Sequence, residues 1–93
     1  MTRSEAKRAA AARGWTTIDE NETVWMAQSP SGYYIATFSK GTRWLEITQV
    51  DSGRRMERTA NAEIAARLLD SYARKPKLWW CASLGGYVTI PED

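Results

Sequence analysis

From Trp15 onward the chain alternates with a period of two, and three short turn signals interrupt it: Pro30-Ser31-Gly32, Lys40-Gly41 and Asp51-Ser52-Gly53. They fall about ten residues apart, the spacing of one strand plus one tight connection. Connections this short join neighbouring antiparallel strands, because a parallel crossover needs a dozen residues or more. The pattern therefore predicts a β-meander over 15–18, 23–29, 33–39, 43–50 and 54–59, the first strand being very short.

Helical signals bracket the meander. Thr2-x-x-Glu5 has capping-box spacing, alanines run on to Arg13, and Gly14 is placed to end a helix over about 3–13. Its apolar face holds only Ala6, Ala9 and Ala10, so it can approach a neighbour closely but buries little area. A second helix is expected over about 61–75. Asn61 would cap it, Pro76 would stop it, and Ile64, Ala65, Leu68, Leu69 and Tyr72 form one stripe. A hairpin over 77–83 and 87–90, turning on Gly85-Gly86, closes the chain. The expected fold class is α+β, as one globular domain over 1–93. It comprises an antiparallel β-meander of four to six strands, an N-terminal Ala-rich helix, a second amphipathic helix packed on one face, and the C-terminal hairpin.

Turn lengths then suggest registers. A two-residue Lys40-Gly41 loop sets Phe38 opposite Arg43, Ala36 opposite Leu45 and Tyr34 opposite Ile47. A three-residue Pro30-Ser31-Gly32 loop sets Val24 opposite Phe38 and Met26 opposite Ala36. Alternation then gathers Val24, Met26, Tyr34, Ala36, Phe38, Leu45 and Ile47 on a core face. The opposite face gathers Trp25, Ala27, Tyr33, Ile35, Thr37, Trp44, Glu46 and Thr48, with Trp25, Thr37 and Trp44 in one row. Either the first helix or the terminal hairpin covers this second face, or it stays open as a recognition surface; Trp, Tyr and Arg dominate binding hot spots. The last meander strand admits two registers: one pairs Glu46 with Arg58, the other turns Met56 to the core. In the terminal "LWWC", neighbours on a strand point to opposite sides. A two-residue Gly85-Gly86 turn would set Cys81 opposite Ile90, assign Trp79 and Cys81 to the core, and leave Trp80 on the other side with Leu78, Tyr87 and Thr89.

Composition narrows the chemistry. The chain has no histidine, which removes the usual general base near neutral pH and the Cys–His and Ser–His nucleophile systems. The single cysteine forbids an intrachain disulfide and makes a reducing cytoplasm the expected compartment. No apolar run approaches the ~18–20 residues of a membrane span, and "MTRSEAKRAAAARGW" reads as a helix rather than a signal peptide. Asp19, Glu20 and Glu22 read as a solvated acidic connection, and "GG" as a turn, so neither metal nor cofactor is expected. Net charge is only +2, although Arg54, Arg55 and Arg58 cluster near the end of the meander and Arg74, Lys75 and Lys77 after the second helix. Local basic patches of this kind permit nucleic-acid binding without announcing it.

Two family resemblances bear on function. The segment "GYYIATFSKGTRWLEITQVDSGRRMERTANAEIAARLLDSYAR" (32–74) has the order strand–strand–strand–helix. It resembles AP2-type and integrase arm-binding domains, which implies a sheet that reads DNA with a helix packed behind. In size, and in Arg43, Arg54, Arg55 and Tyr33, the chain is similar to RelE-like ribonuclease toxins, which implies RNA cleavage without histidine. From the residues themselves the first expectation is a non-catalytic protein-binding module, an inhibitor or adaptor of the small accessory kind encoded by phages and mobile elements. Its candidate binding residues are Trp25, Tyr33, Trp44, Arg43, Arg54, Arg55, Arg58 and Trp80. A protein partner is expected first, nucleic acid second, and self-association through the second face is open.

Overall fold

The N-terminal helix α1 (Arg3–Ala12) begins at the expected capping box. The Glu5 amide donates to Thr2 Oγ1 at 3.2 Å, and the Thr2 amide donates to Glu5 Oε1 at 3.1 Å. Two of the four free N–H groups of the first turn are thereby satisfied. The chain leaves α1 through Gly14, whose φ of 83° is one that a side chain would strain. Five strands come next: β1 (Thr16–Glu20), β2 (Val24–Gln28), β3 (Tyr34–Ser39), β4 (Leu45–Gln49) and β5 (Arg55–Thr59). They form one antiparallel sheet in the order β1-β2-β3-β4-β5, the predicted meander. Helix α2 (Ala62–Ala73) starts where Asn61 Oδ1 accepts from the amides of Glu63 and Ile64. Strands β6 (Leu78–Cys81) and β7 (Gly86–Thr89) form the terminal hairpin. The computed structural model describes residues 1–81 and 85–89.

Both helices pack on the same side of the sheet. One buried cluster joins Ala6 and Ala10 of α1, Ala65, Leu69, Tyr72 and Ala73 of α2, and the inward residues of β2, β3 and β4. The alanine face of α1 lets it lie against α2 as well as the sheet. The inner face of α2 is rotated from the expected stripe: Ala65, Leu69 and Tyr72 are buried, Leu68 is half-buried, and Ile64 faces solvent at 46% exposure. With α1 lying beside α2 on the sheet, the face centred on Ala65 and Leu69 is the one enclosed.

Aromatic polar atoms in this core find partners, which removes the main cost of burying them. The Trp15 indole N–H donates to the Leu69 carbonyl at 3.0 Å, tying the exit of α1 to α2. Tyr34 donates to the Pro76 carbonyl at 2.8 Å and meets Tyr72 edge-on at 4.9 Å. Tyr72 in turn donates to Glu57 Oε2 at 2.9 Å.

The registers differ from those expected, and side-chain chemistry in the turns explains why. Trp25 pairs with Phe38, Met26 with Thr37 and Ala27 with Ala36, a slip of one residue on β2. The connection is four residues long, because Ser29 closes it: the Ser29 amide donates to the Tyr34 carbonyl at 2.9 Å and Ser29 Oγ accepts from the Tyr34 amide at 3.2 Å. A one-residue slip exchanges the faces of a strand. Trp25 and Ala27 therefore enter the core, and Val24 and Met26 leave it.

The β3–β4 loop is also longer than expected, running from Lys40 to Arg43. Its chain reverses through Arg43 at φ 58°, with the Arg43 amide donating to the Ser39 carbonyl at 2.8 Å. Phe38 therefore pairs with Leu45, Ala36 with Ile47 and Tyr34 with Gln49. This shift of two residues keeps every side chain on its expected face.

Between β4 and β5 both alternatives are realised together. Glu46 pairs with Arg58, and a bulge beside Ile47 admits Met56, which packs against the core. In the terminal hairpin Cys81 pairs with Gly86 and Trp79 with Val88, not Cys81 with Ile90.

Candidate interaction surface

With α1 and α2 on one side, the other side of the sheet carries Val24, Met26 and Gln28 from β2, Ile35, Thr37 and Ser39 from β3, and Glu46 and Thr48 from β4. None of these is buried, although each is partly shielded by its neighbours. Pairing defines two rows across the whole sheet. One runs Asp19–Met26–Thr37–Glu46–Arg58, the other Thr16–Gln28–Ile35–Thr48–Arg55. Beyond the Phe38–Leu45 pair, Trp44 extends the same face beside Ser39.

Trp44 is 38% exposed and is held by Arg58, whose guanidinium carbon sits 4.0 Å from the ring centroid. An arginine stacked over an indole contributes about 0.5–1 kcal/mol at such a site and restricts both side chains. Around them Thr37, Ser39, Thr42 and Glu46 complete a shallow depression of about 180 Å³. Arg55 reaches Glu46 at 3.5 Å. The face thus has an aliphatic patch (Val24, Met26, Ile35), one aromatic–cation pair, and charges at its borders.

The expected binding residues separate. Arg55, Arg58 and Trp44 share this face. Trp25 does not: it is 1% exposed in the core, its indole N–H donating to Thr17 Oγ1 at 2.9 Å. Tyr33 precedes β3, is half-buried and packs against the core cluster instead of extending the face. Arg54 is exposed in the β4–β5 connection and Arg43 in the β3–β4 loop, at opposite ends of β4 and so about 17 Å or more apart. A ribonuclease constellation of Arg43, Arg54, Arg55 and Tyr33 is not assembled. The side chain of Trp80, and with it the division of "LWWC" between two faces, lies outside the described residues.

Three residues of the face escape a reading from turn lengths. Val24 and Met26 carry the right alternation and needed only the correct loop length. Asp19 reaches the face because β1 is bulged at Ile18, which reverses the parity of the residues after it. The same bulge turns Glu20 toward α1, where Lys7 Nζ donates to it at 2.8 and 3.0 Å and Arg3 approaches at 3.5 Å. The hydrogen bond from Lys7 is the main reason that the Glu20 carboxyl is held below the usual carboxylate range. The acidic run 19–22 is therefore divided between two sides of the sheet.

A second depression, of about 480 Å³, opens at the start of α1 between Met1, Arg3, Phe38, Lys40 and Arg43. Arg3 is engaged there in holding the β1–β2 turn, donating to the carbonyls of Asn21 at 2.6 Å and Glu22 at 2.7 Å. The strand–strand–strand–helix order of 32–74 is present as β3, β4, β5 and α2, with α2 behind the sheet, but Asp19 and Glu46 stand on the face that would meet DNA. Comparison of the chain with models of protein families, with curated proteins and with solved structures finds no match.

Proposed function

We propose that this chain is a non-catalytic protein-binding module, an inhibitor or adaptor, that works through the helix-free face of its sheet. One observation carries the reading: the two helices share one side, so the opposite face keeps Val24, Met26, Ile35 and the Trp44–Arg58 pair within reach of a partner. Its make-up is that of an interface, an apolar centre with an anchored aromatic and a charged border. A nucleic-acid partner is less well supported, because Asp19 and Glu46 offset Arg55 and Arg58, and Arg55 is already engaged with Glu46.

The test places a photo-crosslinking residue at Thr37, in the centre of the face, and at Ser71, exposed on the far side of α2. In native host lysate the Thr37 position is expected to capture protein, with nuclease treatment making no difference, and Trp44→Ala is expected to reduce capture severalfold. Equal capture at Ser71, or capture abolished by nuclease, refutes the proposal.

A further inference from the structure

We infer that the occupant of this face is a second copy of the chain, packed sheet to sheet about a two-fold axis that runs along β3. The inference rests on the protein-binding reading above and names its partner.

The symmetry of the sheet carries the argument. Five strands in sequential order make β3 central. A two-fold axis parallel to β3, midway between two such sheets, reverses the order of the partner, so β1 lies over β5, β2 over β4, and β3 over itself. Each cross-strand row then meets its own reverse. In the first row Asp19 comes to the partner's Arg58, and Thr37 meets the partner's Thr37. In the second, Ile35 meets the partner's Ile35 on the axis, and Gln28 meets the partner's Thr48. Beyond them Val24 lies over the partner's Trp44.

Charge is what selects this arrangement. The face is acidic at its β1 border and basic at its β5 border, a gradient that is complementary to itself only when the order is reversed. Among the described residues Asp19 makes no ion pair, and Arg58 lies on the Trp44 ring with no carboxylate within ion-pair distance. Both charges are therefore open to an intermolecular bond, and the two-fold forms that bond twice. Sheets pack about 10 Å apart with strands inclined by about 30°. Border strands lie about 10 Å from the axis, so this incline offsets the border rows by about 5 Å, within the reach of an arginine side chain. If the strand order were not reversed, two copies of Asp19 would meet, and two of Arg58, which makes the alternative repulsive.

Five strands about 4.8 Å apart and about 17 Å long give a footprint of roughly 400 Å² per copy. Twice that is below the ~1,200 Å² of a stable interface, so the dimer is weak and reversible.

Sedimentation equilibrium of the full chain from about 10 μM to 1 mM tests this. Asp19→Arg alone and Arg58→Asp alone each set like charges together and are expected to weaken association at least tenfold. An equimolar mixture of the two variants restores both ion pairs and is expected to return to within threefold of the wild-type constant. Far-UV circular dichroism checks that each variant is folded. Because Arg58→Asp also sets two acids side by side at Glu46, Ile35→Glu on the axis gives an independent disruption. A wild-type chain that stays monomeric to 1 mM overturns the inference, as does failure of the mixture to reassociate, or association unaffected by Ile35→Glu. Purified protein carrying the photo-crosslinker at Thr37 is expected to yield a covalent dimer. If it yields none while the same residue captures a different protein from lysate, self-association falls and the protein-binding reading stands.

Discussion

Replacing Trp25 with alanine tests the register on which the whole surface depends. The side chain is 1% exposed, pairs across the sheet with Phe38 and shares the core with Tyr34 and Ala36. Truncating a buried tryptophan costs about 3–5 kcal/mol, from lost transfer free energy and from the cavity left behind. The hydrogen bond to Thr17 Oγ1 adds little, because Thr17 lies on the exposed strand β1 and water can replace the indole N–H. A domain of this size has about 5–14 kcal/mol of stability in all, so Trp25→Ala removes a large share of it and lowers the melting temperature by about 12 °C or more. Val24→Thr is the matched control. Val24 is half-buried on the helix-free face, and the change should stay within about 0.5 kcal/mol. Urea unfolding followed by far-UV circular dichroism measures both without depending on the tryptophan signal. Had β2 been set one residue along, the two results would be exchanged. A cost below about 1 kcal/mol for Trp25→Ala, with more than about 1.5 kcal/mol for Val24→Thr, would refute the assignment of faces.

Arg43 adopts φ 58°, so Arg43→Gly is expected to raise stability by about 0.5–1 kcal/mol, the relief of left-handed strain less the added freedom of the unfolded chain. Arg43→Val should destabilise instead, and urea midpoints of the pair decide the point. The Glu20 carboxyl is held low by Lys7. Its contribution is therefore present above the unfolded carboxylate range and is lost as pH falls through its folded value. Glu20→Gln should flatten the fall in stability below about pH 4.5, as read by thermal melts across pH. Burial, and then the hydrogen bond to Glu57, push the Tyr72 phenol well above its ordinary range. Its contribution is complete below about pH 10 and is lost as pH rises toward the folded value. Absorbance at alkaline pH should show tyrosine ionisation that appears only on unfolding, and Tyr72→Phe should reduce its amplitude.

Local chemistry that acts within a few residues is legible in the sequence. The Thr2–Glu5 capping box, the Asn61 cap, the Gly14 exit and the order of strands all depend on such signals, and all are present. Loop length is not legible in the same way, because a turn motif marks where a chain reverses but not which residues close it. Ser29 looks like the last residue of a strand, yet its hydroxyl and amide both bind Tyr34 and lengthen the connection by one. That single residue moves Trp25 from the surface to the core. The β3–β4 loop exceeds its turn motif by two residues, which a period of two forgives. The inner face of α2 is displaced for a different reason: the amphipathic stripe identifies a helix, but packing of α1 beside it selects which flank is enclosed.

The slip on β2 also changes what the open face is suited to bind. With Trp25 on it, two tryptophans flanking Thr37 would have offered a stacking platform for bases, where each stacked base contributes about 1–3 kcal/mol. With Trp25 in the core, Trp44 alone remains of that row's two tryptophans, and Arg58 already lies over its ring at 4.0 Å. A base would have to displace that guanidinium. Meanwhile Asp19 joins the face through the β1 bulge, so Asp19 and Glu46 offset Arg55 and Arg58 in charge. Phosphate binding draws its strength from counterion release in proportion to the cations engaged, and a face of balanced charge engages few. Balanced charge is no disadvantage for a protein partner, where opposite borders fix orientation while the apolar centre supplies the attraction. The two turns and two bulges thus convert a row of aromatics into a graded strip, and a graded strip favours a surface that carries the same gradient reversed.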